Sequence, residues 1–160
     1  FMNCARELGL SIRPINHKDA LAIYQVLSHP DVAKYNDYPL VVSKADARDL
    51  IQGDIDMLLE GVGARFAIML DNRLIGTCGL FNIHQGSAEL GFELHPDFWG
   101  RGLMQRALQH LFQSYSQYLH VSLQLLHARV HPHNSRCCST LKALGFSQDK
   151  QRWQKKLVAD

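Results

Sequence analysis

The chain is short of the residues that would make it a disulfide scaffold or a membrane protein. Only 4 of its 160 residues are cysteine, and none stand as C-x-x-C, which argues against a zinc knuckle. Cys137 and Cys138 are adjacent, and one peptide unit holds their Cα atoms too close for ordinary disulfide geometry. Together with Cys4 and Cys78 they read as free thiols of a reducing, cytoplasmic setting. No apolar run reaches the roughly 20 residues of a membrane helix. Neither charge sign dominates, with 17 Lys and Arg against 15 Asp and Glu, which argues against a nucleic-acid or membrane-surface partner. Repeats, low-complexity tracts and linkers are missing, and no signal-peptide pattern follows Met2. The expectation is one domain over residues 1–160, monomeric or homodimeric, with Phe1 a scar of tag removal.

What is present suits a folded domain. Hydrophobic residues make up 46% and charged ones 20%, enough apolar side chains for a substantial core. Residues 8–14 read as a strand and 19–27 as a helix capped by Asp19, broken at His29-Pro30-Asp31. Residues 35–39 read as a loop. Ser43 with Asp46 resembles a capping box for a helix to Glu60, ended by Gly61 and Gly63. A hairpin follows, 66–70 with 74–81, across Asp71-Asn72-Arg73. After the turn at Gln85-Gly86 comes an alternating strand, 88–94. A helix then carries Leu103, Ala107, Leu108, Leu111, Phe112 and Tyr115 on one face. Residues 123–130 read as a strand, 135–144 as a short helix closed at Gly145, and 146–157 as two short strands around Asp149-Lys150.

The stretch from Leu94 to Met104, Leu-His-Pro-Asp-Phe-Trp-Gly-Arg-Gly-Leu-Met, is the most informative. Strand, closely spaced Gly100 and Gly102, then helix is an arrangement that holds phosphate: glycine admits a ligand close to the backbone, and the helix start supplies unpaired N–H groups. No Gly-Lys-Ser/Thr follows, which sets aside a P-loop. The string resembles the coenzyme A loop of the GNAT acyltransferases, in particular the Rim-like branch of ribosomal-protein N-acetyltransferases. Ile12-Arg13-Pro14, Phe81, 88–92, Ala128-Arg129-Val130, Asn134 and Leu144-Gly145-Phe146 extend the likeness over roughly residues 10–147.

The resemblance implies an α/β (α+β) fold: a mixed, mostly antiparallel sheet of six to seven strands flanked by about four helices. It implies an acetyl-CoA-dependent N-acetyltransferase acting on a primary amine, either a protein N-terminus or a small amine. The alternative is a coenzyme A-binding module without turnover. It also implies that Leu94 meets the pantetheine arm, that Gly100, Arg101, Gly102, Leu103 and Met104 meet the pyrophosphate, and that Asn134 contacts coenzyme A.

For chemistry, Glu89 and Glu93 share one face of the 88–94 strand, about 13 Å apart, so either one alone is a candidate proton acceptor for the attacking amine. Gly91 between them leaves room for a ligand or a close backbone. Cys137 stands where the Rim-like pattern often has serine, and it is the candidate proton donor. Leu141 stands where many relatives carry tyrosine. His127, His131 and His133 have ligand-like spacing, but Pro132 breaks it and no Cys or carboxylate completes a set, so no metal is expected. His127 is also a reserve base. Phe98, Trp99 and Trp153 read as packing residues.

Overall fold

The computed structural model of the protein describes residues 9–36 and 41–157. The expectations for Phe1, Met2, Cys4 and Leu8, and for residues 37–39 of the loop, lie outside them. Among these residues seven strands are formed: β1 (Leu10–Pro14), β2 (Ala64–Leu70), β3 (Arg73–His84), β4 (Ser87–Leu94), β5 (Leu125–Arg129), β6 (Ser147–Asp149) and β7 (Arg152–Lys156). They lie in one sheet in the order β1-β2-β3-β4-β5-β7-β6. Every neighbouring pair is antiparallel except β4 with β5. Four longer helices, α1 (Ala20–Leu27), α3 (Lys44–Glu60), α4 (Leu103–Ser114) and α6 (Ser135–Ala143), match expectation. The single-turn helices α2 (Pro30–Ala33) and α5 (Ser116–Leu119) do not. Four residues are too few to show a period. The His29 ring nitrogen accepts the Asp31 N–H and starts α2 where a break is expected.

The turns explain the register. Asp71 and Asn72 both have positive φ (49° and 65°), as do Gln85 and Gly86 (48° and 78°). Two consecutive left-handed residues match the twist of flanking antiparallel strands. Leu70 therefore pairs with Arg73, and β3 begins one residue before the expected strand. At α3, Ser43 Oγ accepts the Asp46 N–H. The Asp46 carboxylate returns to Val42 N rather than to the cap itself, as its side chain is one methylene shorter than the usual Glu.

The sheet buries both faces. On one, Ile23 and Leu27 of α1 and Ile51 of α3 pack with Ala67 and Leu74. On the other, Ala107, Leu108 and Leu111 of α4 pack with Phe66, Ile68, Leu80, Leu126 and Trp153. The two layers fix β4 from both sides, and β4 carries the site.

Candidate active site

β4 and β5 pair over three residues only, Ser87 with Leu125, Ala88 with Leu126 and Glu89 with His127. Beyond that point β4 runs on to Leu94 and β5 to Arg129 without further pairing. The strands part, and a cleft of about 370 Å³ lies beside the free end of β4. Phe92, Glu93 and Leu94 of β4 form one wall; Gly100, Gly102, Leu103 and Met104, with Asn134 and Cys137 of the α6 start, form the others. A second cleft, of about 280 Å³, shares Asn36, Phe92, Glu93, Asn134 and Cys137 with the first. The two therefore meet at Glu93.

The loop from β4 to α4 is built to expose backbone. His95 Nδ1 accepts the Asp97 N–H and starts a 3₁₀ turn, Pro96–Phe98. The Trp99 indole N–H donates to the Leu94 carbonyl at 2.8 Å, and the Arg136 guanidinium stacks on the Trp99 ring at 3.2 Å. Trp99 is thus a packing residue that also lines the cleft. Gly100 and Gly102 have φ of +77° and +71°, and a Cβ added to either meets no atom within 4 Å. Both glycines front open space. α4 has no side-chain cap, so its first N–H groups face that space without a capping oxygen. The loop fits an anionic phosphate group on these grounds. Arg101 is exposed and stacked over Phe98 at 5.4 Å; it flanks this cleft without lining it.

Glu93 sits in a polar chain that the sequence reading missed. Thr77 Oγ1 donates to Glu93 Oε2 at 2.8 Å and accepts from Arg65 Nη1 at 3.2 Å. Arg65 Nη1 also reaches Glu93 Oε2 at 3.5 Å, and Arg65 Nε donates to Asp54 at 2.6 Å. Asp54, Arg65 and Thr77 are all buried. Burial raises the Asp54 carboxyl above its ordinary value, and the opposite charge of Arg65 offsets that only in part. Two signals pointed here. Asp54 falls on the buried stripe of α3 with Ala47 and Ile51, and Arg65 alternates with the buried Ala67 on β2. Phe81 completes the support. Its ring lies where a Cβ on Gly79 would come within 2.5 Å and one on Gly91 within 3.1 Å. Arg65 stacks over that ring at 5.0 Å. The room expected at Gly91 is therefore filled by Phe81.

The other expected residues separate clearly. Glu89 is exposed, accepts from Asn82 at 3.0 Å, and lines neither of the two clefts. Its parity matches that of Glu93, but it lies where β5 still pairs. Asn134 caps α6 by accepting the Cys137 N–H while lining both clefts. Cys137 lies beside it, and burial pushes its thiol up to about 11 against the pull of Arg136. Leu141 is fully buried and takes no part in either cleft. His127 Nδ1 is buried without a hydrogen-bond partner, opposite Glu89 in register. Among the described residues, no group of three or more His, Cys, Asp or Glu side chains is placed to hold a metal ion, and no helix is long and apolar enough to cross a membrane.

A family profile for the acetyltransferase (GNAT) domain matches residues 10–147. An uncharacterized N-acetyltransferase p20 of Bacillus licheniformis is 34% identical over 144 residues, 88% of this chain and 80% of that protein. A ribosomal-protein-serine acetyltransferase of Escherichia coli is 32% identical over 79 residues, 48% of this chain and 44% of that protein. Among solved structures, a RimL ribosomal L7/L12 α-N-protein acetyltransferase in complex with coenzyme A superposes with a TM-score of 0.86 at 19% identity, covering 95% of this chain and 96% of that one. A spermidine N-acetyltransferase from Vibrio cholerae superposes with a TM-score of 0.76 at 16% identity, covering 93% and 96%. At these identities the structural likenesses speak to the fold.

Proposed function

Because the chain belongs to the GNAT acetyltransferase family, and is thus an acetyl-CoA-dependent N-acetyltransferase, we propose that it acetylates the α-amine of a protein N-terminus at the junction of the two clefts, with Glu93 as the proton acceptor. The observation that carries this reading is the position of Glu93, which lines both clefts on the stretch of β4 that β5 no longer pairs. In this reading acetyl-CoA occupies the larger cleft. Its pyrophosphate lies against Gly100, Gly102, Leu103 and Met104 with Arg101 alongside, and its pantetheine arm runs past Leu94 and Asn134.

The amine enters through the smaller cleft and attacks the thioester carbonyl carbon. The C–N bond forms, the C–S bond breaks with its electrons leaving on sulfur, and the ammonium proton passes to the Glu93 carboxylate. Thr77 and Arg65 hold that carboxylate in one orientation. Orientation matters because effective proton transfer needs hydrogen-bond reach. Cys137, with its thiol pushed up to about 11, is a protonated donor at neutral pH. It offers a hydrogen bond to the departing sulfur, and full proton transfer from it is uphill, since an ordinary thiol titrates near ~8.5.

The test is acetyl-CoA-dependent thiol release with N-terminal peptides and with spermidine, using the parent and Glu93→Gln. Turnover with peptides that Glu93→Gln loses, at retained coenzyme A affinity, is the expected result. Equal rates for parent and variant would place the base elsewhere.

A further inference from the structure

The smaller cleft has an asymmetric charge. Among its described lining residues Glu93, on β4, is the sole carboxylate, while Arg129 and His131 lie at and just beyond the end of β5. Arg129 is exposed, and its side chain makes no hydrogen bond or ion pair with the described residues. Its partner in the β5–β7 register is another arginine, Arg152. Like charges directly opposite on an antiparallel pair are unfavourable. Arg152 has Asp149 on its far side in the β6–β7 register, whereas Arg129 has no register partner on its other side, because β4 has already parted from β5. A charge-opposed guanidinium lining a ligand cleft is suited to pair with an anion.

We propose that the acceptor is a peptide N-terminus carrying an acidic residue at its second or third position, and that Arg129 is the residue that reads it. This rests on the proposed function above, which places the amine at Glu93. Spacing sets the position. Parallel pairing of Glu89 with His127 would put Arg129 level with Gly91. Glu93 lies two residues further along β4, so the two Cα atoms stand at least about 8 Å apart. An extended peptide advances about 3.3 Å per residue, which carries a side-chain carboxylate of the second or third residue to the guanidinium. There it is met by a charge-assisted, potentially bidentate pair. The same charge turns away acceptors whose body is cationic, polyamines included.

The test compares kcat/KM for Ala-Gly-Asp-Ala-Phe-amide with the versions carrying Asn or Lys in place of Asp, and with spermidine. The Asp peptide is expected to exceed the Asn peptide by about tenfold, the usual scale for a hydrogen bond to a charged group, and the Lys peptide by more. Arg129→Gln should flatten the series, and Arg129→Glu should invert it. Raising the salt concentration on the parent enzyme should narrow the Asp-to-Lys ratio, a readout that needs no variant. Acetylation of all three peptides at equal rates, a Lys preference, or an order unchanged in Arg129→Glu would overturn this inference and leave N-terminal acetylation standing. Turnover with spermidine but with no peptide would overturn both.

Discussion

Thr77 and Glu93 are register partners across β3 and β4, and the Thr77 hydroxyl donates to Glu93 Oε2 while accepting from Arg65. One hydroxyl thus links a buried ion pair beneath α3 to the carboxylate that faces the cleft.

The two strand glutamates should behave differently. Glu93→Gln is expected to lower kcat by about 10²–10⁴, the range for loss of a general base, with coenzyme A affinity kept. Glu89→Gln, exposed and bonded to Asn82, should stay within about twofold of the parent, as surface substitutions usually do. Steady-state kinetics and calorimetric titration with coenzyme A check both.

Gly102→Glu should weaken coenzyme A binding about a hundredfold or more, because its side chain and charge enter the open space before the α4 N–H groups. Gly102→Ala separates strain from occlusion. Nothing lies within 4 Å of its Cβ, but φ is +71°, so it should cost about 1–2 kcal/mol of stability with much milder loss of affinity. Titration and thermal melts on the two variants distinguish the effects.

Asp54→Ala leaves the Arg65 guanidinium buried without its nearest carboxylate, and should destabilise by about 3–5 kcal/mol. The double change Asp54→Leu with Arg65→Met removes both charges and should recover much of that stability. It should not recover turnover, because Glu93 has lost the Arg65 contact that helps to orient its carboxylate. Denaturant unfolding beside kcat measurements is the check.

Asp19 predicts a pH dependence of stability. Its carboxylate accepts from Arg13 through both oxygens, each at 2.8 Å, and from Asn16 N at 2.9 Å. Burial alone would raise it, but these donors outweigh burial and hold it below 3.8. A folded-state value below the unfolded one means stability that is present above about pH 4 and lost as pH falls through the folded value. Asp19→Asn should therefore destabilise the protein at pH 7, and the gap between variant and parent should close toward pH 2. Melts across pH 2–7 test it.

Cys137 should alkylate slowly at pH 8, and its rate with iodoacetamide should keep rising with pH toward 11, since the thiolate is the nucleophile. Peptide mass mapping reads Cys137 apart from its neighbour Cys138. A plateau near pH 8.5 would contradict the burial described here.

Local features were legible because they repeat over short distances. The α4 face, the places of the hairpin turns and the glycines of the β4–α4 loop each announce themselves within a dozen residues. The choice between Glu89 and Glu93 was not legible, since both share a parity and differ only in whether β5 still pairs beside them. The Asp54–Arg65–Thr77–Glu93 chain was hidden for a related reason. It joins one helix to three strands, and no window of sequence holds all four residues. Phe81 filling the space at Gly91 likewise depends on the strand register, which pairs Gly91 with Gly79.

The three-residue pairing of β4 with β5 has a mechanical consequence. The sheet is two panels, β1–β4 and β5–β7, sharing a seam of three rungs. Whatever fills the gap beyond the seam acts as its missing rungs. Occupancy of that gap should therefore stiffen the joint between the panels more than the panels themselves, and amide exchange around Leu125 to His127 would report the cofactor's arrival even though none of these residues lines the larger cleft.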